Sequence, residues 1–167
     1  MPISMHSASA PAFVQTLSAL SKIIEKAAGH CAAKKIEPAA LLDARLFPDM
    51  FAFTRQVQIA CDFAKNTMAR LAGIDPPKFP DEEKTFDELT TRIAKTIDYV
   101  KTITPQQVNG SEDKEITLPV GGKQMTFKGE PYLVNVALPN FYFHATTAYD
   151  ILRHNGVELG KRDFLKG

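Results

Sequence analysis

Apolar residues recur at three- and four-residue steps in four separate stretches, and nothing else in the chain constrains its fold as tightly. In the first stretch Phe13, Leu17, Leu20, Ile24 and Ala27 make one stripe of a helix. Its start is expected near Ser7 to Pro11, where Ser suits a cap and Pro a first turn. The stripe fades past Cys31, and a short helical turn, Ala39 to Leu42, follows. Pro48-Asp49 is expected to open the second helix, with the carboxylate against the positive end of the helix dipole. Its inner face is Met50, Phe53, Val57, Ala60, Cys61, Ala64, Met68 and Leu71, and Gly73 is its stop. The third helix runs from about Thr85 to Ile103 on Phe86, Leu89, Ile93, Ile97 and Val100. Asp87 and Glu88 with Arg92 read there as an i,i+4 pairing on a solvated face.

The interruptions between these stretches set their arrangement. Ile74 to Asp81 contains Pro76, Pro77 and Pro80, so this connection is stiff and extended, long enough for the third helix to lie parallel to the second. The period then changes from helical to alternating. Glu115-Ile-Thr-Leu118 and Gln124-Met-Thr-Phe127, joined through Pro119-Val-Gly-Gly122-Lys123, predict a two-stranded hairpin that must pack on the helices or on a partner. The Gly-Gly pair does not make a phosphate-binding loop, because no helix opens directly after it. A fourth helix begins around Glu130-Pro131, and Pro139 is expected to kink or restart it and to leave a cavity beside the kink. The whole pattern predicts one all-α domain over residues 1–167 with a small β-hairpin between helices 3 and 4.

Composition removes several function classes. Lys and Arg (20) barely exceed Asp and Glu (19), which gives a formal net charge of +1 and no basic footprint for nucleic acid. The nearest basic cluster, Lys161 and Arg162 with Lys166, reads as a solvated tail. No apolar run reaches the ~18–20 residues that span a bilayer, and no signal peptide is expected, so neither nucleic acid nor membrane is a partner. Two cysteines, Cys31 and Cys61, are too few for a disulfide framework and read as buried small apolar residues of a cytoplasmic protein.

The chemistry-bearing candidates are few. Among four histidines, His154 sits in the last turn of helix 4, where an imidazole offsets the dipole. His6 and His30 lie ~35 Å apart along the first helix and cannot meet in one protomer. His144 differs, because it shares a helix face with Asn140, Phe141, Thr147 and Ile151; it reads either as a satisfied core residue or as a pocket acid, base or ligand. Companions from helix 2 are Asp49, Arg55, Gln56, Gln58 and Asp62, with Gln56 beside the buried stripe. Asp62 is expected to pair locally with Lys65 or Asn66, or with Arg55 across two turns. Tyr142 and Tyr149 are expected to offer hydroxyls at the rim.

Arg45-Leu-Phe-Pro-Asp-Met50, Thr54-Arg-Gln-Val-Gln58, Ala69-Arg-Leu-Ala-Gly73, Leu138-Pro-Asn-Phe-Tyr-Phe-His144 and Gly160-Lys-Arg-Asp-Phe164 together resemble an uncharacterised bacterial family grouped with the DinB/YfiT-like four-helix proteins. The likeness covers essentially the whole chain. It implies an up-down-down-up four-helix bundle with a long crossover between helices 2 and 3, often a homodimer, and it brings no assigned reaction. The wider group typically holds a divalent metal with one histidine from helix 2 and an H-x-x-x-H pair on helix 4. Here His144 matches the first of that pair, the second position is Ala148, and no histidine lies between Cys31 and Phe143. A metal and other cofactors are therefore not expected, since zinc and nickel prefer imidazole and thiolate ligands.

The leading expectation is a protein that binds a small organic ligand between helices 2 and 4, using Asp49, Arg55, Gln56, Asn140, His144 and Tyr149. Two others stand beside it: an enzyme, metal-dependent or not, that uses His144, and a structural protein whose faces serve a homodimer.

Overall fold

The computed structural model describes residues 3–166. Helix α1 spans Met5–Lys34 and is longer at its start than the sequence suggests. Ser4 caps it: the Ser4 hydroxyl accepts from the Ser7 amide (3.2 Å) and the Ser7 hydroxyl from the Ser4 amide (2.8 Å). Pro11 therefore lies inside the helix, on its exposed face, where solvent is at hand for the carbonyl that loses its partner. Short α2 (Ala39–Leu42) follows as expected.

Helix α3 covers Phe53–Ala72, so Pro48-Asp49 does not open it. The preceding loop is held in another shape. Arg45 Nη1 donates to the carbonyls of Pro48 (3.4 Å) and Met50 (3.1 Å), the Phe53 amide donates to Ala44 O (2.8 Å), and the Thr54 hydroxyl to Leu42 O (3.0 Å). Those bonds engage the backbone that would otherwise start a helix, and they leave Asp49 exposed outside the helix dipole. Gly73 ends α3 in a left-handed turn (φ +76°), as expected.

After the extended connection, α4 (Phe86–Thr102) starts at a capping box of Thr85 and Glu88. Glu88 accepts from the amides of Lys84 (2.6 Å) and Thr85 (3.0 Å), so it serves the cap and not an i,i+4 pair with Arg92. Arg92 is buried on the inner stripe beside Leu89 and Ile93, contrary to the solvated face expected for it. A short α5 (Pro105–Val108) leads to the hairpin, β1 (Glu115–Val120) and β2 (Lys123–Lys128), antiparallel in the register Glu115 opposite Lys128 to Val120 opposite Lys123. Gly121 and Gly122 both take positive φ (+57° and +80°), the conformation a two-residue hairpin turn demands. Ile116 and Leu118 of β1 are buried, which anchors the hairpin on the helical core.

The last long helix is built in three pieces: α6 (Gly129–Tyr132), a π-helical turn (Leu133–Ala137) and α7 (Leu138–His154). The wide turn falls immediately before Pro139, where the missing N–H breaks the regular ladder; the Leu138 amide bonds Leu133 O instead. Asn140 Nδ2 donates to Val136 O (2.7 Å), so one carbonyl at the irregularity is satisfied within the helix. Short α8 (Lys161–Leu165) returns to α1 through Lys26–Asp163 (2.7 Å) and Gln15 Nε2 to Leu165 O (2.9 Å).

The four long helices share one core: α1 packs on α4, α4 on α3, α3 on α7, and α7 back on α1. Phe13 of α1 and Phe141 of α7 meet edge to face at 4.8 Å, and Tyr132 is fully buried with its hydroxyl taking a bond from Arg70 Nη1 (3.0 Å). No helix among the described residues is long and apolar enough to cross a membrane.

Candidate functional site

The α3–α7 seam carries His144 into contact with α3. Gln56, Ala60 and Phe63 stand on one face of α3, so an amide and a ring both reach the imidazole. Gln56 Oε1 lies 2.7 Å from His144 Nδ1, and Phe63 stacks on the ring (centroids 6.0 Å apart, planes 16° from parallel). Phe143, the preceding residue on α7, meets the ring edge-on at 5.2 Å.

The proton on this histidine can be assigned by following the amide. Gln56 is 1% exposed, and its Nε2 donates to Phe51 O (3.1 Å). That bond fixes which end of the amide carries hydrogens, so Oε1 faces the imidazole and can only accept. His144 Nδ1 must therefore be the N–H, and in the neutral ring Nε2 holds a lone pair. No described residue hydrogen-bonds Nε2. Among the described residues, the sealed polar side-chain atoms without partners are Arg92 Nε, Tyr99 Oη and Ser111 Oγ; Nε2 is not among them, and the residue keeps 8% exposure. Burial lowers the His144 pKa below its ordinary value, and the positive charge of Arg55 lowers it further. The ring is thus held neutral, with an acceptor turned outward.

Phe143, which meets the ring, and Phe51, whose carbonyl takes the bond from Gln56, are each more than half exposed.

Next to this pair lies a polar network that the sequence pattern conceals. Arg92 of α4 donates to both oxygens of Glu83 (3.0 and 3.2 Å) and to Pro80 O (2.8 Å), and it pairs with Asp62 (3.0 Å) and Asp81 (2.9 Å). Burial works against its charge, but Glu83 and Asp62 more than restore it. Arg55 joins Asp81 and donates to Gln58 Oε1 (3.2 Å), whose Nε2 donates to Glu83 (2.8 Å). Asp62 also pairs with Lys65 (3.0 Å), as expected locally, while Arg55 goes to Asp81 and not to Asp62. Lys65 and Lys95 lie over the ring of Phe79 at 5.1 and 4.2 Å from its centre. The proline-rich connection is thereby fastened to α3 and α4.

Of the sequence candidates, Gln56 and His144 are in direct contact, and Arg55 acts on His144 through its charge. Asn140 shares the His144 face but spends its amide on Val136 O. Asp49 stands exposed in the loop before α3, and Tyr149 packs against Phe164 of α8 (6.0 Å), away from this seam. The sequence reading put Arg92 on a solvated face and did not single out Asp81 or Glu83 as site residues; the available signal was a charged residue between Leu89 and Ile93, on the apolar stripe itself. Five clefts of about 320 to 640 Å³ open elsewhere, and none is lined by His144 or by the Pro139 turn. The cavity expected beside the Pro139 kink is therefore not found, and His144 is buried in the α3–α7 seam with 8% of its surface exposed.

Neither cysteine offers a reactive thiol. Both are buried and unpaired, and burial pushes the Cys61 thiol up to about 12. Among the described residues no three His, Cys, Asp or Glu side chains converge as a metal-ion site. One imidazole with an amide on its other nitrogen, and a fully buried Ala148 one turn on, do not fit a three-histidine ion.

Comparisons with known proteins agree with this architecture. A family model described as a domain of unknown function, DUF1993, matches residues 5–165. No curated protein matches. The crystal structure of a DinB family member protein from Shewanella denitrificans is similar over 97% of this chain and 92% of its own, with 39% identity and a TM-score of 0.86. With the match running almost from end to end, the chain belongs to the DUF1993 family, a DinB-like family of unknown function.

Proposed function

We propose that this protein is a bacterial, cytoplasmic binding protein, built as an up-down-down-up four-helix bundle, that holds a small organic ligand beside His144 between α3 and α7. One observation carries the reading: a buried imidazole whose Nδ1 is fixed by Gln56, which makes Nε2 the acceptor, with the exposed ring of Phe143 against its edge. The two buried, unpaired thiols support a reducing compartment. Gln56 carries no charge to stabilise an imidazolium, so the arrangement supports binding over proton transfer. The test is a fragment screen read by the His144 ring resonances. Ligands that move those resonances in the wild type, and bind at least ~10-fold more weakly to His144→Leu, are the expected result. Fragments that bind only elsewhere on the protein would refute it.

A second reading is favoured by the exposed aromatic side chains themselves. Phe47, Phe51 and Phe143, with Leu46 and Tyr142, are large apolar side chains left exposed, and they support a homodimer that would cover them. Light scattering on the wild type and on Phe51→Ser with Phe143→Ser separates the two. A dimer that the pair of substitutions dissolves supports the interface, and a wild-type monomer refutes it.

A further inference from the structure

We propose that the groove between α3 and α4 recognises an extended acidic peptide, and that the connection joining these helices occupies the groove as a tethered ligand. The ground is the way the connection is held. It buries no side chain from residue 74 to 85, and among the described residues no backbone–backbone hydrogen bond is made by residues 75–84. Two carboxylates fasten it instead. Asp81 and Glu83 stand two positions apart, the spacing that puts side chains on one side of an extended chain. All four of their oxygens are engaged by the helices: those of Asp81 by Arg55 Nη1 and Arg92 Nη2 (2.9 Å), those of Glu83 by Arg92 Nη1 (3.0 and 3.2 Å) and Gln58 Nε2 (2.8 Å). Arg92 also donates to Pro80 O (2.8 Å), and Lys65 and Lys95 lie over the Phe79 ring. The helices thus engage a main-chain carbonyl, a ring and two acids, the means by which arginine clusters recognise acidic segments. With Asp81 and Glu83 withdrawn, Arg55, Lys65, Arg92 and Lys95 would face Asp62 and Glu88 alone among the acids that α3 and α4 bring to the flanking clefts, and Glu88 is spent on its helix cap. The pairing is open at its outer edge. The Arg55 and Asp81 side chains are 39% and 40% exposed, against 2% for Arg92, so a competing carboxylate can enter at Arg55.

The probe is the free peptide acetyl-Phe-Pro-Asp-Glu-Glu-amide, the sequence of residues 79–83, and the control is its neutral counterpart with Asn and Gln in place of the acids, at matched ionic strength. Binding is measured by calorimetry on the full chain. In Asp81→Asn with Glu83→Gln the tethered carboxylates are gone. That variant is expected to bind the acidic peptide at least ~10-fold more tightly than the wild type, because a linked segment competes at an effective concentration of about 1 mM. The neutral peptide should gain nothing. Adding Arg55→Gln, at a position open to solvent, should take back most of the gain. Circular dichroism checks the folds; if the double variant does not fold, Glu83→Gln alone is compared in the same way, with a gain of at least ~3-fold expected for half of the tether. A folded variant that binds the acidic peptide no better than the wild type, or no better than the neutral peptide, overturns the proposal and leaves the connection a structural clamp. A gain that survives Arg55→Gln undiminished places the peptide elsewhere on the protein and overturns it as well.

Discussion

Replacing Arg92 by Met tests whether the proline-rich connection is fastened by one buried charge. Arg92 is 3% exposed and serves three carboxylates and a carbonyl, Asp62, Asp81, Glu83 and Pro80 O, all within 3.2 Å. Met keeps most of the volume and removes every one of those bonds. Breaking a buried pair by deleting one partner costs about 3–5 kcal/mol. The carboxylates here are only part-buried, with side chains 27%, 40% and 14% exposed, and each keeps a second partner in Lys65, Arg55 or Gln58. Solvent and those partners recover some of the loss, which brings the expected cost to about 2–3 kcal/mol. At a urea slope of about 2 kcal/mol per M, the unfolding midpoint should drop by about 1–1.5 M. Lys78 and Lys84 lie in the connection, so native-state trypsin cleavage there should speed up before global unfolding does. Adding Glu83→Gln and Asp62→Asn to Arg92→Met should restore part of the midpoint, because the surplus negative charge is gone. A stability within about 0.5 kcal/mol of wild type, with unchanged cleavage, would show that solvent replaces Arg92 without penalty and that the network holds nothing in place.

Three other outcomes follow from particular contacts. Gly129→Ala drives a methyl group into the Ser111 carbonyl oxygen, so the loop between α5 and β1 must part from α6; about 1–3 kcal/mol should be lost in thermal or urea unfolding. His144→Leu leaves Gln56 Oε1 buried without its donor and should cost about 1–3 kcal/mol by the same measurement, whereas His144→Leu with Gln56→Leu should recover much of that. The stability of the wild type should depend on pH through His144. Its pKa is lowered in the folded protein, so the unfolded chain binds the proton more readily; stability is full above the unfolded value of about 6.5, falls as pH drops through it, and levels below the folded pKa. His144→Leu should flatten that part of the profile, and a slope that persists unchanged would assign it to another group.

Local chemistry made much of this protein legible in one dimension. The helical stripes, the stop at Gly73, the start of the third long helix near Thr85 and the Gly-Gly hairpin turn depend on residues no more than a few positions apart, and the structure returns them nearly where the periodicity puts them. Errors occurred where two local signals competed. Ser4 outbid Pro11 as the start of α1, and the bonds of Arg45 outweighed the dipole argument for Asp49. The family, too, was visible from its motifs, since they run along the whole chain.

The site was a different matter. His144 stood out on an apolar face, but its character depends on Gln56, 88 residues away, and through Gln56 on a backbone carbonyl of the loop before α3. A sequence states which side chains exist and which helix face they share; it does not state which end of an amide points at a ring. Arg92 shows the same division, because its partners come from α3 and from the connection, and only packing brought them around one guanidinium. Secondary structure is written in short-range sterics and hydrogen bonds, so the chain alone determined the helices and the hairpin. The tautomer of His144, its lowered pKa and the burial of Arg92 are long-range electrostatics in a medium that exists only after folding, and the tertiary structure decided them.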